Sequence, residues 1–172
     1  MFEHDLSLTG KHARYMKYLV NDAKLYKRYI DVYMNGAVFG LLHDRRAERD
    51  NESVPPANIL ADVLQKERGN CVLLYRLVML LDESRGISSQ ERIDRAFRDD
   101  ADDAASEKLK ANMELFHSYV RGGIEEIFEQ FVEGRGTTPD EYLDRAMEVM
   151  GDFRSELKGD DFTDRLNSLM LG

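Results

Sequence analysis

The sequence predicts an all-α fold in which a single domain spans residues 1–172. Apolar residues recur three and four positions apart along most of the chain, and this spacing lines one face of an α-helix. No stretch combines sustained apolar and polar alternation with enrichment in Val, Ile and Thr, so we expect no extended β-sheet. With 42% hydrophobic residues and three prolines, the composition is typical of a compact helical bundle that buries a core.

The first half of the chain is predicted to contain two long helical regions. The first runs from about Lys11 to His43 and is expected to break near Asn35–Gly36, since both residue types favour turns. A charged loop follows over residues 44–56. Pro55–Pro56 then starts the second region, because proline is favoured in the first turn of a helix. That region is expected to end near Gly86, and its apolar side includes Leu60, Leu64, Cys71, Val78 and Leu81.

Two capping boxes mark helix starts in the second half. Ser88 and Thr138 each precede a glutamate by three residues. In such a pair the hydroxyl and the carboxylate each accept a hydrogen bond from a free backbone N–H group. Between the two boxes a long helix is predicted from Leu109 to Phe131, and a last short helix is predicted over Phe162–Met170.

The second half also contains an internal repeat with an offset of fifty residues. Residues 82–97 and 132–147 are identical at seven of sixteen aligned positions, whereas average composition predicts about one. This similarity suggests two related helical hairpins, 57–98 and 107–148, packed together with the long N-terminal helical region laid across them. The alternative is that two unrelated helix starts share the same capping residues.

Charge is distributed unevenly along this acidic chain. The formal charge is −9, yet residues 1–49 hold nine basic and six acidic residues. Five basic residues are expected on one side of the first helix, opposite a row of five tyrosines that we expect to pack. The basic side is then left solvated or free to meet the acidic part of another copy. The basic residues are Arg14, Lys17, Lys24, Lys27 and Arg28, and the tyrosines are Tyr15, Tyr18, Tyr26, Tyr29 and Tyr33.

Gly36 and Gly40 stand about one helical turn apart. Neither residue has a side chain, so a second helix can approach closely at this point. We therefore expect a tight helix contact here, either within the chain or between subunits.

Three residues resemble a known catalytic metal site. His12 lies in the first helix, and His43–Asp44 follows thirty-one residues later at a helix end. In type and order they resemble the HD-domain metal phosphohydrolases. The resemblance covers about forty residues and implies a divalent metal held by His12, His43 and Asp44, which would activate water to hydrolyse a phosphoester. The chain departs from the family after Asp44, where charged residues replace a small turn, and no later aspartate ligand is identified by motif.

A second metal hypothesis concerns Glu114 and His117. Their Glu-x-x-His spacing is that of di-iron helical bundles and places both side chains on one helix face. Such a site needs a second copy of the motif, and the sequence contains one copy. We therefore do not expect a di-metal site.

Together these patterns favour a non-enzymatic protein that acts through protein contacts. We expect a homo-oligomer or a small accessory subunit of a bacterial complex, in a setting such as DNA handling or phage defence. The alternative is the metal-dependent phosphohydrolase, and a third hypothesis is an acidic mimic of nucleic acid. No cofactor and no membrane partner are expected, and direct nucleic-acid binding is expected only through the basic side of the first helix. The acidic N-terminus and the lone Cys71 in an apolar run predict a cytoplasmic protein.

Overall fold

The computed structural model describes residues 1–82, 86–99, 107–134 and 136–159, with side chains as far as residue 152. Within these ranges the chain is mostly helical, which confirms the all-α prediction. None of the helices described there has both the length and the apolar character needed to cross a bilayer. The elements are β1 (Leu6–Leu8), α1 (Gly10–Lys17), α2 (Tyr29–Leu42), β2 (Ala57–Ile59), α3 (Ala61–Lys66), α4 (Arg68–Leu81), α5 (Ser89–Phe97), α6 (Glu107–Phe131) and α7 (Pro139–Gly159).

The first predicted helical region consists of two helices, and its break lies earlier than expected. α1 continues into a π-helical turn at Tyr18–Asp22, and α2 starts only at Tyr29. Between them Lys24 has a φ of +55°, a left-handed value that ends the helical winding. The predicted break at Asn35–Gly36 is wrong, because α2 passes through it unbroken. Packing of Gly36 against another helix offsets the low helix propensity of glycine.

The predicted helix start at Pro55–Pro56 is also wrong. The prolines lead instead into strand β2, which pairs antiparallel with β1 so that Leu6 lies opposite Ile59. Proline fixes its own φ and holds the preceding residue extended, which suits the entry to a strand. The second helical region is likewise divided, because α3 and α4 are separated at Glu67.

Both predicted helix starts are confirmed, and the capping box is complete at Thr138. The Ser88 hydroxyl accepts a hydrogen bond from the Glu91 backbone N–H at 3.2 Å. At the start of α7 the Glu141 carboxylate accepts from the Thr138 N–H at 3.0 Å, and the Thr138 hydroxyl accepts from the Glu141 N–H at 3.4 Å. The long helix between the boxes is present as α6. The short helix predicted over residues 162–170 lies outside the described residues.

The internal repeat extends to helix boundaries but not to whole hairpins. α4 and α6 end fifty residues apart, at Leu81 and Phe131, and α5 and α7 begin fifty residues apart, at Ser89 and Pro139. Upstream the correspondence fails, because β2 and α3 occupy the positions equivalent to the first part of α6. The repeated unit is therefore a helix end followed eight residues later by a capped helix start.

α2 and α6 cross closely at glycines, and this contact forms the centre of the fold. A Cβ atom built on Gly36 would lie 2.8 Å from the carbonyl oxygen of Val120. One built on Gly40 would overlap the backbone of Tyr119, and one on Gly123 would overlap the backbone of α2 at Gly36. The tight contact predicted at Gly36 and Gly40 is confirmed, and it is made within the chain.

The predicted packing role of the tyrosines is confirmed where they meet α6 and α7. The Tyr15 ring stacks on Phe128 with centroids 4.0 Å apart. The Tyr18 hydroxyl lies 2.9 Å from the Tyr142 hydroxyl. Tyr33 is buried in the core. These rings attach α1, the turn after it and α2 to the second half of the chain.

Candidate functional site

A buried carboxylate, Glu125 of α6, contacts polar side chains of α1 and of the segment that follows α2. His12 Nε2 lies 2.9 Å from Glu125 Oε1, and Lys11 Nζ lies 2.8 Å from the same oxygen. Arg45 Nη2 lies 3.1 Å from the second oxygen, Oε2. The His12 side chain is 1% exposed and that of Glu125 is 10% exposed. One carboxylate therefore joins three nitrogen-bearing side chains from two parts of the chain.

Arg45 extends this cluster toward solvent. Its guanidinium lies 2.7 Å from the Glu126 carboxylate and binds both oxygens of Glu129 at 2.5 Å. Bidentate pairing of this kind is the strongest form of the arginine–carboxylate contact. The bonds to Glu129 and its neighbours hold the pKa of Arg45 above its usual range. Arg45 therefore stays charged and ties the segment after α2 to the last turns of α6.

The protonation states of His12 and Glu125 follow from burial and from their contact. Burial lowers the pKa of His12 below 6.5 and outweighs the opposite effect of Glu125. Burial raises the pKa of Glu125, but hydrogen bonds from Lys11 and His12 outweigh it and hold that pKa below 4.5. At neutral pH a neutral imidazole therefore donates through Nε2 to an ionised carboxylate. His12 Nδ1 is buried and no described residue hydrogen-bonds to it. His12 therefore attaches α1 to α6 through its contact with Glu125.

The three residues that resemble an HD-domain metal site each have a different neighbour. His12 contacts Glu125, as above. The His43 ring stacks on Phe39 with centroids 5.9 Å apart. Asp44 accepts a hydrogen bond from the Tyr119 hydroxyl at 3.3 Å. In the part of the chain that the structure describes, no group of three or more His, Cys, Asp or Glu side chains is arranged to hold a metal ion.

Glu114 and His117 lie one turn apart on α6 but have separate partners. The Glu114 carboxylate accepts hydrogen bonds from Arg49 at 2.6 Å and from Arg121 at 2.7 Å. His117 Nε2 lies 3.1 Å from the Tyr33 hydroxyl. The imidazole lines a cavity of about 190 Å³. Burial lowers the pKa of His117 to about 4, and the charge of Arg121 acts in the same direction.

The low pKa of His117 predicts that folding is sensitive to acid. The unfolded chain binds a proton at His117 below about pH 6.5, whereas the folded chain excludes it until about pH 4. The stability contributed by the neutral ring is therefore complete above pH 6.5 and is lost as the pH falls toward 4. We expect His117→Gln to reduce the pH dependence of the unfolding free energy by on the order of 2 kcal/mol. Urea unfolding of both proteins at pH 7 and pH 4.5 measures this difference. An equal fall of the unfolding free energy in both proteins between these pH values would contradict the prediction.

The five basic residues predicted as an interaction surface lie on two different parts of the chain. Arg14 and Lys17 project from α1, whereas Lys24, Lys27 and Arg28 lie in the segment that leads into α2. Three of the five are held by groups of the same chain, which reduces their availability to a partner. These contacts are Arg14 with Glu52 at 3.3 Å, Lys17 with the Pro55 carbonyl at 2.7 Å, and Arg28 with Glu67 at 2.9 Å.

A row of exposed apolar residues on α4 was not predicted from the sequence. Leu73, Leu77 and Leu81 are 57%, 37% and 56% exposed, and Phe97 of α5 beside them is 48% exposed. We call these four residues the α4 face. A groove of about 630 Å³ is lined by Leu73, Leu77 and Phe97 of this face. The assignment of Leu81 to the packed side of its helix was wrong, and so was that of Leu60, which is also exposed.

A second row of exposed apolar residues lies on α7. Leu143, Met147 and Met150 are 52%, 64% and 68% exposed. We call these three residues the α7 face. It borders an apolar groove of about 520 Å³ that is also lined by Phe39 of α2 and Phe131 of α6. The molecule thus presents apolar side chains on two separate helices.

Comparisons with protein-family models, with curated proteins and with solved structures find no match for this chain.

Proposed function

We propose that this chain is a non-enzymatic protein-interaction module that docks a protein partner on its α4 face. The observation that supports this proposal is the exposed row Leu73, Leu77 and Leu81 beside Phe97 and a groove of about 630 Å³. Contiguous apolar surface of this kind commonly marks a protein-binding site. Covering it stabilises a complex by about 25 cal/mol for each Å² of apolar area removed from water.

The polar groups support the same proposal. Glu125 and His12 are buried, and the oxygens of Glu125 are already occupied by Lys11, His12 and Arg45. Burial raises the pKa of Cys71 to about 11, so its thiol stays protonated and a poor nucleophile at neutral pH. We place the module in the cytoplasm, where a free thiol persists, as a homo-oligomer or as an accessory subunit.

Site-specific photocrosslinking in the cells that make this protein tests the proposal. A benzophenone amino acid placed at position 73 is expected to yield covalent protein adducts, because Leu73 would lie in the interface. The matched control is position 65, since Gln65 is also exposed and lies on α3, outside the α4 face. We expect adducts at position 73 and only background at position 65.

Two results would overturn the proposal. One is equal background at positions 73 and 65, which would mean that the α4 face meets no protein. The other is a stoichiometric divalent metal in the purified protein that is lost in His43→Ala. That result would favour the phosphohydrolase hypothesis built on His12, His43 and Asp44.

A further inference from the structure

The apolar groove beside the α7 face, which we call the α7 groove, has the size and the lining of a small-molecule site. We propose that it binds a neutral aromatic molecule that carries one hydrogen-bond donor. The described lining of this groove contains no residue of the α4 face. The inference therefore goes beyond the proposed protein docking and is tested separately from it.

Three helices form the walls of the α7 groove. α2 contributes Val38 and Phe39, α6 contributes Phe131, and α7 contributes Ala146 and Val149. The segment before α2 completes the lining. The volume of the groove is about 520 Å³. Ordinary small-molecule pockets enclose roughly 300–1,000 Å³ and are mostly apolar, so the α7 groove is of the right size for such a ligand.

An aromatic pair lies at the buried end of the α7 groove. The rings of Phe39 and Phe131 meet edge to face with centroids 5.6 Å apart. Phe131 is buried, whereas Leu143 and Met150 at the other end are more than half exposed. An aromatic ligand suits this lining, because ring pairs favour edge-to-face and offset-stacked contacts. The flexible side chain of Met150 can adapt to the outer part of such a ligand.

The lining of the α7 groove favours a ligand without charge. Thirteen described residues line the groove, and none of them is Asp, Glu, Lys or Arg. Moving an unpaired charge from water into such surroundings costs free energy. The groove of about 820 Å³ on the other part of α6 differs in this respect, since three arginines and two glutamates line it. Of these two grooves, the α7 groove is the one suited to a neutral molecule.

Hydrogen-bonding capacity remains unused in the lining of the α7 groove. No group of the described residues hydrogen-bonds to the Tyr26 hydroxyl, and burial raises the pKa of this phenol to about 12, so it stays protonated at neutral pH. Asn35 and Gln130 donate through their amide nitrogens to the Asp31 carbonyl and the Glu126 carboxylate. Their side-chain oxygens accept no hydrogen bond from the described residues. Since buried polar groups are normally paired, these oxygens are available to a donor on the ligand.

Fluorescence titration of purified full-length protein with N-phenyl-1-naphthylamine tests the proposal. This probe is neutral and aromatic, carries one N–H group and fluoresces strongly in apolar surroundings. We expect saturable binding of one probe per chain. The matched probe is 1-anilinonaphthalene-8-sulfonate, which has the same skeleton and a sulfonate. We expect it to bind at least about tenfold more weakly, because its charge must leave water.

Two variants and one control locate the neutral probe. Val38→Trp fills part of the α7 groove and is expected to weaken binding by about tenfold or more. Tyr26→Phe removes only a hydroxyl that has no partner among the described residues. We expect this variant to keep its stability and to bind the probe about threefold to tenfold more weakly. The control is Leu73→Trp, which places the larger side chain on the α4 face and should leave the affinity unchanged.

Several results would overturn the proposal. They are the absence of saturable binding, tighter binding of the sulfonate probe, and unchanged affinity in either variant when circular dichroism shows it folded. Loss of binding in Leu73→Trp would place the probe on the α4 face instead. Affinity that falls as the protein concentration rises would assign the α7 groove to a second copy. Binding that requires Phe162→Asp would assign it to residues 160–172 of the same chain. None of these results alters the crosslinking expected at position 73, so the proposed function stands or fails independently.

Discussion

Replacing Gly123 with alanine is expected to lower the free energy of unfolding by about 3 kcal/mol or more. The new Cβ atom would overlap the carbonyl of Gly36 and lie 2.5 Å from the backbone nitrogen of Gly40. These are backbone atoms, so no side-chain rotation can relieve the overlap. α2 and α6 must move apart, and the core between them loses contact. Since a domain of this size has only about 5–15 kcal/mol of stability, the loss is a large fraction of the total. Urea unfolding followed by circular dichroism measures it.

Gly151→Ala is the matched control for this substitution. Gly151 is exposed on α7, and a Cβ atom there would meet nothing within 4 Å. Alanine has the higher helix propensity, so this variant is expected to gain up to about 1 kcal/mol. The same substitution at two glycines is thus expected to change the free energy of unfolding in opposite directions. If Gly123→Ala unfolds with the same urea midpoint as the wild type, then α2 and α6 do not cross this closely.

Local features of the fold were predictable, and features set by distant contacts were not. The capped starts of α5 and α7 were found because a capping box lies within four residues of sequence. The strands β1 and β2 were missed because three residues are too few to show alternation and their pairing joins positions about fifty residues apart. The break around Lys24 was also missed. It contains no glycine or proline, and helical spacing alone gives no sign of it.

Prediction of the candidate site was limited in the same way. His12 was selected for its residue type, but its partner Glu125 lies 113 residues away. No local signal singles out Glu125, since Glu126 follows it directly and Glu129 lies one turn further along α6. The α4 face was missed because α4 is apolar on most sides. Its sequence does not indicate which of its leucines face the core.

Truncation of Glu125 to alanine is expected to have the second large effect, about 3–5 kcal/mol of lost stability. The cost arises because Lys11, His12 and Arg45 lose a shared acceptor, and the His12 ring, which is 1% exposed, cannot replace that acceptor with bulk water. Glu125→Gln keeps the shape of the side chain and can still accept from His12, so we expect a smaller loss of about 1–3 kcal/mol. Urea unfolding at pH 7, where Glu125 is ionised, shows which of the two variants has the lower free energy of unfolding.

Glu129→Ala separates the effect of burial from the effect of losing a partner of Arg45. The Glu129 side chain is 44% exposed and binds Arg45 through both oxygens. Exposed pairs contribute at most about 1 kcal/mol, so the free energy of unfolding of this variant is expected to stay close to that of the wild type.

The pH dependence of stability gives a second readout for Glu125→Ala. Glu125 raises the pKa of His12 against burial, so its removal lowers that pKa further. The folded state then excludes this proton over a wider range below pH 6.5, and Glu125→Ala is expected to lose more stability in acid at His12 than the wild type does. Equal losses in Glu125→Ala and Glu129→Ala at pH 7 would mean that the buried position of Glu125 contributes nothing beyond its charge.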